Sequence, residues 1–164
     1  MKAVRGSFRM LKHEQVMGAL AEDSYREPRR RPDPSVCPQC GATHQGGRWT
    51  WRAAPADAPR HECPACRRTA DYYPAGILTF EGPFVAGHRE QILAIVHARE
   101  AREKADHPLQ RVMAVEEAPG RMVVATTGNQ LAHGIARAVK RACKGSLEYH
   151  YSKGENLLRA RWMR

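Results

Sequence analysis

Cys37-Pro38-Gln39-Cys40-Gly41 and Cys63-Pro64-Ala65-Cys66-Arg67 are the two stretches that decide how this chain folds. Each holds a Cys-x-x-Cys turn, and twenty-two residues separate the two turns. The short spacing lets both sulfurs of a pair point at one centre, with backbone N–H groups directed at them. Two such turns offer Cys37, Cys40, Cys63 and Cys66 as four thiolates to one tetrahedral ion, the pattern of a structural zinc ribbon. Gly41 suits the left-handed bend that closes the first turn. Two disulfides fit poorly in a chain that reads as intracellular, and a thioredoxin-like centre needs one Cys-x-x-Cys rather than two. A site of four cysteines leaves no open position for water, so the Zn2+ expected here holds the fold and does no chemistry. With four well-spaced cysteines, neither His44 nor His61 is needed as a ligand.

The chain has 164 residues, of which 42% are hydrophobic. That suits one domain plus a small module. No run of eighteen apolar residues suggests a membrane span, and the first residues lack the apolar core of a signal peptide. A cytoplasmic protein is expected. The net charge is +10, and it is unevenly placed. Residues 119–164 hold nine Lys/Arg against two Asp/Glu, whereas residues 67–118 hold seven against eight. A basic surplus concentrated in one segment points to a polyanion, most often nucleic acid.

Residues 1–35 read as a basic arm, with a short amphipathic helix over 8–22 and a flexible linker over 23–35 rich in proline and arginine. Residues 36–75 form the ribbon. Within it Arg48-Trp49-Thr50-Trp51-Arg52 alternates as a strand, which puts Trp49 and Trp51 on one face as cover for the metal site, with base stacking beside Arg48 and Arg52 as the alternative. Residues 76–164 form an α/β domain. Its expected elements are a strand over 76–81, a helix over 85–106 with Ile92, Leu93, Val96 and Ala101 buried, and strands over 109–117 and 121–127. A helix over 130–143 and strands over 146–152 and 157–163 follow. The expected class is α+β: an N-terminal zinc ribbon, then a ferredoxin-like (split βαβ) antiparallel sheet with helices on one face.

On the second long helix Arg137, Lys140, Arg141 and Lys144 stand three and four apart, opposite Leu131, Ile135 and Val139, and no acid occurs between Asn129 and Ser146. On the last strand Arg159 and Arg161 share a face. These residues are expected to contact phosphate, with Arg48, Arg52, Arg67 and Arg68 of the ribbon at the edge of the same surface. No catalytic set emerges. His133 and His150 have no nucleophile or carboxylate at a telling spacing, Cys143 reads as a small core residue, and Glu116 and Glu117 point to opposite faces of their strand.

The ribbon with tryptophan after its first knuckle, followed by Thr126-Thr127-Gly128-Asn129-Gln130-Leu131-Ala132-His133-Gly134-Ile135-Ala136-Arg137, resembles the nonsense-mediated-decay-three type of large-ribosomal-subunit export adaptor. The resemblance covers about residues 36–164. Thr126, Thr127, Asn129, Ala132 and Arg137 take places comparable to the family's, and one pair of knuckles stands where the family usually has two. The resemblance implies binding to large-subunit ribosomal RNA, in assembly or regulation of the subunit, and carries over no catalytic residues; a protein that is monomeric off the ribosome is expected. The rival readings are a zinc-ribbon DNA-binding regulator, a protein-interaction adaptor and an enzyme acting on nucleic acid.

Overall fold

The computed structural model describes Tyr25, residues 31–152, Gly154 and residues 156–164. The helix expected over 8–22, Arg29, Arg30 and most of the linker lie outside the described residues. Residues 31–35, expected as linker, belong to the ribbon. Ser35–Val36 is a strand, β1, and the Asp33 carboxylate accepts the N–H groups of Gly46 and Gly47 at 3.1 and 3.0 Å.

The ribbon pairs β1 with β2 (Thr43–Gln45) and β2 with β3 (Arg48–Thr50), all antiparallel. The second knuckle runs directly into a helix, α1 (Pro64–Ala70), which the spacing of the cysteines did not reveal. Pro64 sits in its first turn, where a missing N–H costs nothing, and the Cys63 sulfur caps it by accepting from the Cys66 N–H.

Beyond it lie β4 (Gly76–Glu81), α2 (Pro83–Gly87), α3 (Arg89–Asp106), β5 (Val112–Ala118), β6 (Arg121–Thr126), α4 (Asn129–Cys143), β7 (Ser146–Ser152) and β8 (Leu157–Met163). The single helix expected over 85–106 is broken at His88, whose backbone leaves the helical region at φ −128°. The break turns Phe84 and Val85 inward, and Phe84 meets Trp162 edge-on at 5.8 Å. Pro108 ends α3 by pushing His107 to φ −129°, ψ 87°. On α3, Ile92 and Val96 are buried as expected, while Ala101 is exposed.

The five-stranded sheet has the order β5-β6-β4-β8-β7. Its first part keeps the split βαβ arrangement, with β6 between β4 and β5 and antiparallel to both. The other side departs from the antiparallel expectation. β8, not β7, lies beside β4, and it runs parallel to it. The inner row of each strand explains the choice. β8 turns Leu158, Ala160 and Trp162 toward the helices, and these pair with Gly76, Leu78 and Phe80. β7 would offer Tyr149 and Tyr151 there, two hydroxyls that burial under α4 would have to satisfy. The apolar strand takes the inner place and the tyrosine strand becomes the edge.

α3 and α4 pack together on one face of the sheet, over a core of Leu78, Phe80, Met122, Val124, Leu131, Ile135, Val139 and Trp162. Fully burying each of these large side chains contributes about 1.5–3 kcal/mol. Trp162 is wholly buried, and its indole N–H is satisfied by the Lys144 carbonyl at 2.6 Å. Cys143 is buried in this core, and Ala142 is outside it.

At Gly76 the sheet lies close against α4. A Cβ there would lie 2.5 Å from Thr126 Oγ1 and nearer still to the Ala132 methyl. We expect Gly76→Ala to destabilise the chain by about 1–3 kcal/mol in chemical denaturation. Gly87→Ala, where a Cβ meets nothing within 4 Å, should leave stability unchanged or slightly raised.

Candidate functional site

Three local features aim the cysteines at one point. In the first knuckle the Gly41 N–H returns to the Cys37 carbonyl at 2.9 Å, and Gly41 adopts φ +78° to turn the chain back into β2. The Cys63 N–H points at the Cys37 sulfur at 3.3 Å. α1 then carries Cys66 round beside Cys63. The result is four sulfurs within 4.8 Å of one another, with Cys37 and Cys63 buried and Cys40 and Cys66 half-buried.

The spacing fits a tetrahedral ion. A metal–sulfur distance of about 2.3 Å requires sulfur–sulfur edges of about 3.8 Å. Cys37 to Cys66 and Cys40 to Cys63 are both 3.8 Å. The thiols also differ in how readily they ionise. Burial works against Cys37, but the N–H groups of Cys63, Cys40 and Gln39 outweigh it and bring that thiol down to about 7. Burial pushes the Cys63 thiol well above the ordinary range, and Cys66 is raised for the same reason. Cys37 thus ionises more readily than Cys63 and Cys66. The four sulfurs can hold one metal ion, and their geometry is consistent with zinc. His44 and His61 are not part of the cluster.

The most informative residue here was absent from the sequence reading. Arg111, just before β5, sends its guanidinium into the cluster and donates to Cys40, Cys63 and Cys66 at 3.2, 3.3 and 3.3 Å. Its Nε donates to the Pro108 carbonyl at 2.7 Å. Its backbone is held from both sides by Thr127: the Arg111 N–H donates to Thr127 Oγ1 at 2.8 Å, and the Thr127 N–H donates to the Arg111 carbonyl at 2.9 Å. Burial opposes the Arg111 charge, yet the sulfurs outweigh it and hold the guanidinium above its ordinary value. Four thiolates around a divalent ion carry two negative charges, and Arg111 offsets one of them with a residue of the other module.

Two further contacts join the ribbon to the sheet. Trp49 packs on the cysteine cluster as expected, and Leu109 packs there from the α3–β5 loop. Trp51 does not share that role. β3 stops at Thr50, and Trp51 instead donates from its indole to the Lys104 carbonyl on α3 at 2.6 Å. Thr126 and Thr127, which carried part of the family resemblance, are buried. Their hydroxyls bond the carbonyls of Gly128 and Leu109 at 2.8 and 2.6 Å and set the frame from which Arg111 reaches.

The arginines and lysines expected at phosphate fall into separate groups. Arg137, Lys140 and Arg141 are exposed on α4, and Lys144 is exposed at its C-terminal cap. Arg159 and Arg161 lie on the opposite face of the sheet, so helix and strand do not form one ridge. Arg161 is paired with Glu81 at 2.8 Å, and Glu81 is shared with Arg121 at 3.4 Å. Arg159 is half-buried and donates to Ser152 at 3.4 Å. Arg48 and Arg52 are exposed on the ribbon, and Arg67 is half-buried. Arg68 is a correction. It is 5% exposed, with its guanidinium over the rings of Tyr25 at 4.5 Å and Tyr73 at 5.7 Å and a bond to the Tyr73 carbonyl at 3.2 Å. It packs the inside of its module and is not an edge of an outer surface.

Comparison with protein-family models, curated proteins and solved structures finds no match to this chain. The export-adaptor resemblance therefore rests on the quoted residues alone. No helix among the described residues is long and apolar enough to cross a membrane.

Removing the metal should unfold the ribbon, because forming such a site is coupled to folding. In a metal-loaded sample treated with chelator, amide exchange should rise across residues 31–75 while β4, β6 and β8 stay protected. Arg111→Met, which keeps the packing but removes the three N–H···S bonds, should weaken metal retention about 10–100-fold, read by metal transfer to a chromophoric chelator.

Proposed function

We propose that this chain is a zinc-stabilised, cytoplasmic RNA-binding protein without enzymatic activity, acting on the ribosome in assembly or regulation of the large subunit. The observation that carries the reading is the outer face of α4. Arg137, Lys140, Arg141 and Lys144 are exposed there with no acid between Asn129 and Ser146. A surface helix ordinarily mixes signs, as α3 does with Arg99 bonded to Glu103 at 2.7 Å. An uncompensated cationic ridge is costly in self-repulsion and is relieved when phosphates replace water and counterions.

The metal centre supports the reading as a scaffold. Zn2+ in a closed four-sulfur shell supplies folding energy and no reactive water. The hollow between α2 and the β5–β6 hairpin, about 200 Å³, is lined by Val85, Arg89, Glu117, Arg121 and Met122 among others, and its charges are paired, Arg89 with Glu117 and Arg121 with Glu81. Neither place brings together a nucleophile and a base. The ribosomal target comes from the family resemblance, and the DNA-regulator and adaptor readings are the alternatives that the experiment separates.

Sedimentation of tagged protein from lysate tests the proposal. At low salt the protein should travel with a ribosomal subunit. Charge reversal of Arg137, Lys140 and Arg141 should leave it at the top of the gradient, with the fold intact by circular dichroism. With four phosphates neutralised, affinity for RNA should fall on the order of a hundred-fold between 50 and 200 mM salt. Migration at the top of the gradient for the unmodified protein, or a flat salt response, would sink the reading. Preferential retention on duplex DNA would favour the regulator instead.

A further inference from the structure

The edge position of β7 has a chemical result. Leu147, Tyr149 and Tyr151 face the helix side of the sheet, since they pair with Trp162, Ala160 and Leu158 of β8. α4 covers β8 and stops short of the edge. Leu147 is half-buried, but Tyr149 and Tyr151 remain 42% and 45% exposed. Exposed aromatic rings of this size are among the few large apolar groups on the described surface, and these two stand side by side on one strand face. Successive residues on one face of a strand are about 6.8 Å apart. His133 of α4 adds a third ring, with its centroid 5.1 Å from that of Tyr149. The Tyr151 hydroxyl bonds to the Asn156 side chain across the β7–β8 turn, which fixes that ring in place.

Along the same side of α4 runs the basic ridge. His133, Arg137 and Lys140 recur at spacings of four and three, so they fall within about one-sixth of the helix circumference, and Lys144 follows as the residue that caps the helix C-terminus at φ +61°. Arg137 lies near enough to Tyr149 for its charge to act on that hydroxyl. A row of cations thus borders a row of exposed rings. The only acid of β7, Glu148, points to the other face, where it opposes Arg161.

We infer that the shelf between α4 and β7 binds single-stranded RNA, with bases stacked on Tyr149, Tyr151 and His133 and the backbone following Arg137, Lys140 and Lys144. Cations alone serve any polyanion. Rings beside them select a strand whose bases are unpaired and free to stack, because a duplex keeps its bases inside. The inference rests on the RNA-binding reading and narrows it to unpaired segments.

The experiment uses the full, metal-loaded chain and two labelled probes: a twelve-nucleotide unstructured RNA, and the same RNA annealed to its complement. Fluorescence anisotropy is followed over a salt series. Single-stranded RNA should bind more tightly than duplex. Tyr149→Ala and Tyr151→Ala should each weaken single-strand binding between about fivefold and a hundredfold without changing the salt slope, since they remove no charge. Tyr149→Phe should retain binding. Arg137→Gln should lower the slope by about 0.7. Both tyrosines are exposed, so the alanine variants should keep the parent's fold, which circular dichroism checks. Equal or tighter binding of the duplex, or alanine variants that bind like the parent, would overturn the shelf. If the alanine variants bind like the parent while the charge variant loses affinity, the broader RNA reading stands without it. If the parent binds neither probe, both fall.

Discussion

Four sulfurs held within 4.8 Å of one another repel as soon as more than one of them ionises. Everything in the ribbon follows from that constraint. Three short strands and a seven-residue helix bury too little apolar surface to fix their own arrangement. A shared cation supplies what packing does not. Yet a divalent ion among four thiolates still leaves a net negative charge in a half-buried place. Arg111 brings the remaining compensation from the neighbouring module, through three N–H···S bonds. The ribbon is therefore docked by charge as well as by Leu109 and Trp51, and its placement on the sheet is tied to the sulfurs of its own cysteines.

That dependence reaches α4 through a very short path. Residues 109–111 face both ways. Leu109 packs on the cysteine cluster and Arg111 bonds its sulfurs. Gln110, between them, accepts the Leu131 N–H at 3.1 Å and so caps the start of α4 in place of a local side chain. Gly128 is tightly confined for the same reason, since a Cβ there would strike the Gln110 amide. A cap supplied from another segment makes the N-terminus of α4 only as ordered as that segment. The basic helix is thus tied, within one residue, to the loop that completes the metal site.

The regular elements were legible in the sequence because periodicity reports burial directly. β4 and β8 follow the alternation of their residues, and α4 follows Leu131, Ile135 and Val139. The cysteine cluster was legible because its spacing is local. The strand order was not, because alternation says which residues share a face and nothing about which strand lies beside which. That choice turned on comparing the inner rows of β7 and β8, a tertiary question. The break at His88 was hidden for a similar reason: His88-Arg89-Glu90-Gln91 is a polar stretch that one continuous helix could carry, and only the contact of Phe84 with Trp162 gives the turn its purpose. Arg111 was illegible altogether. It stands 45 residues from Cys66 and carries no spacing that a metal motif would recognise. Arg68 misled in the opposite direction. An arginine beside a knuckle reads as surface, whereas two tyrosine rings make an interior it can enter.

Charge placement shows why counting cations along the chain was too coarse. The segment after Pro119 holds the basic surplus, but the sheet divides it between two faces that behave differently. On the open face Glu81 lies between Arg121 and Arg161, and Glu148 stands opposite Arg161 in register, so positive charge there is met by negative. On the helix side the cations of α4 have no such partners within their own helix, and the rings beside them belong to a strand that the core had no room to cover. The rule that put β8 inside and β7 outside is apolar packing, which is indifferent to ligands. Its consequence is that tyrosines excluded from the core come to stand next to the helix that carries the uncompensated charge. Stability and surface chemistry are set here by a single choice between two neighbouring strands.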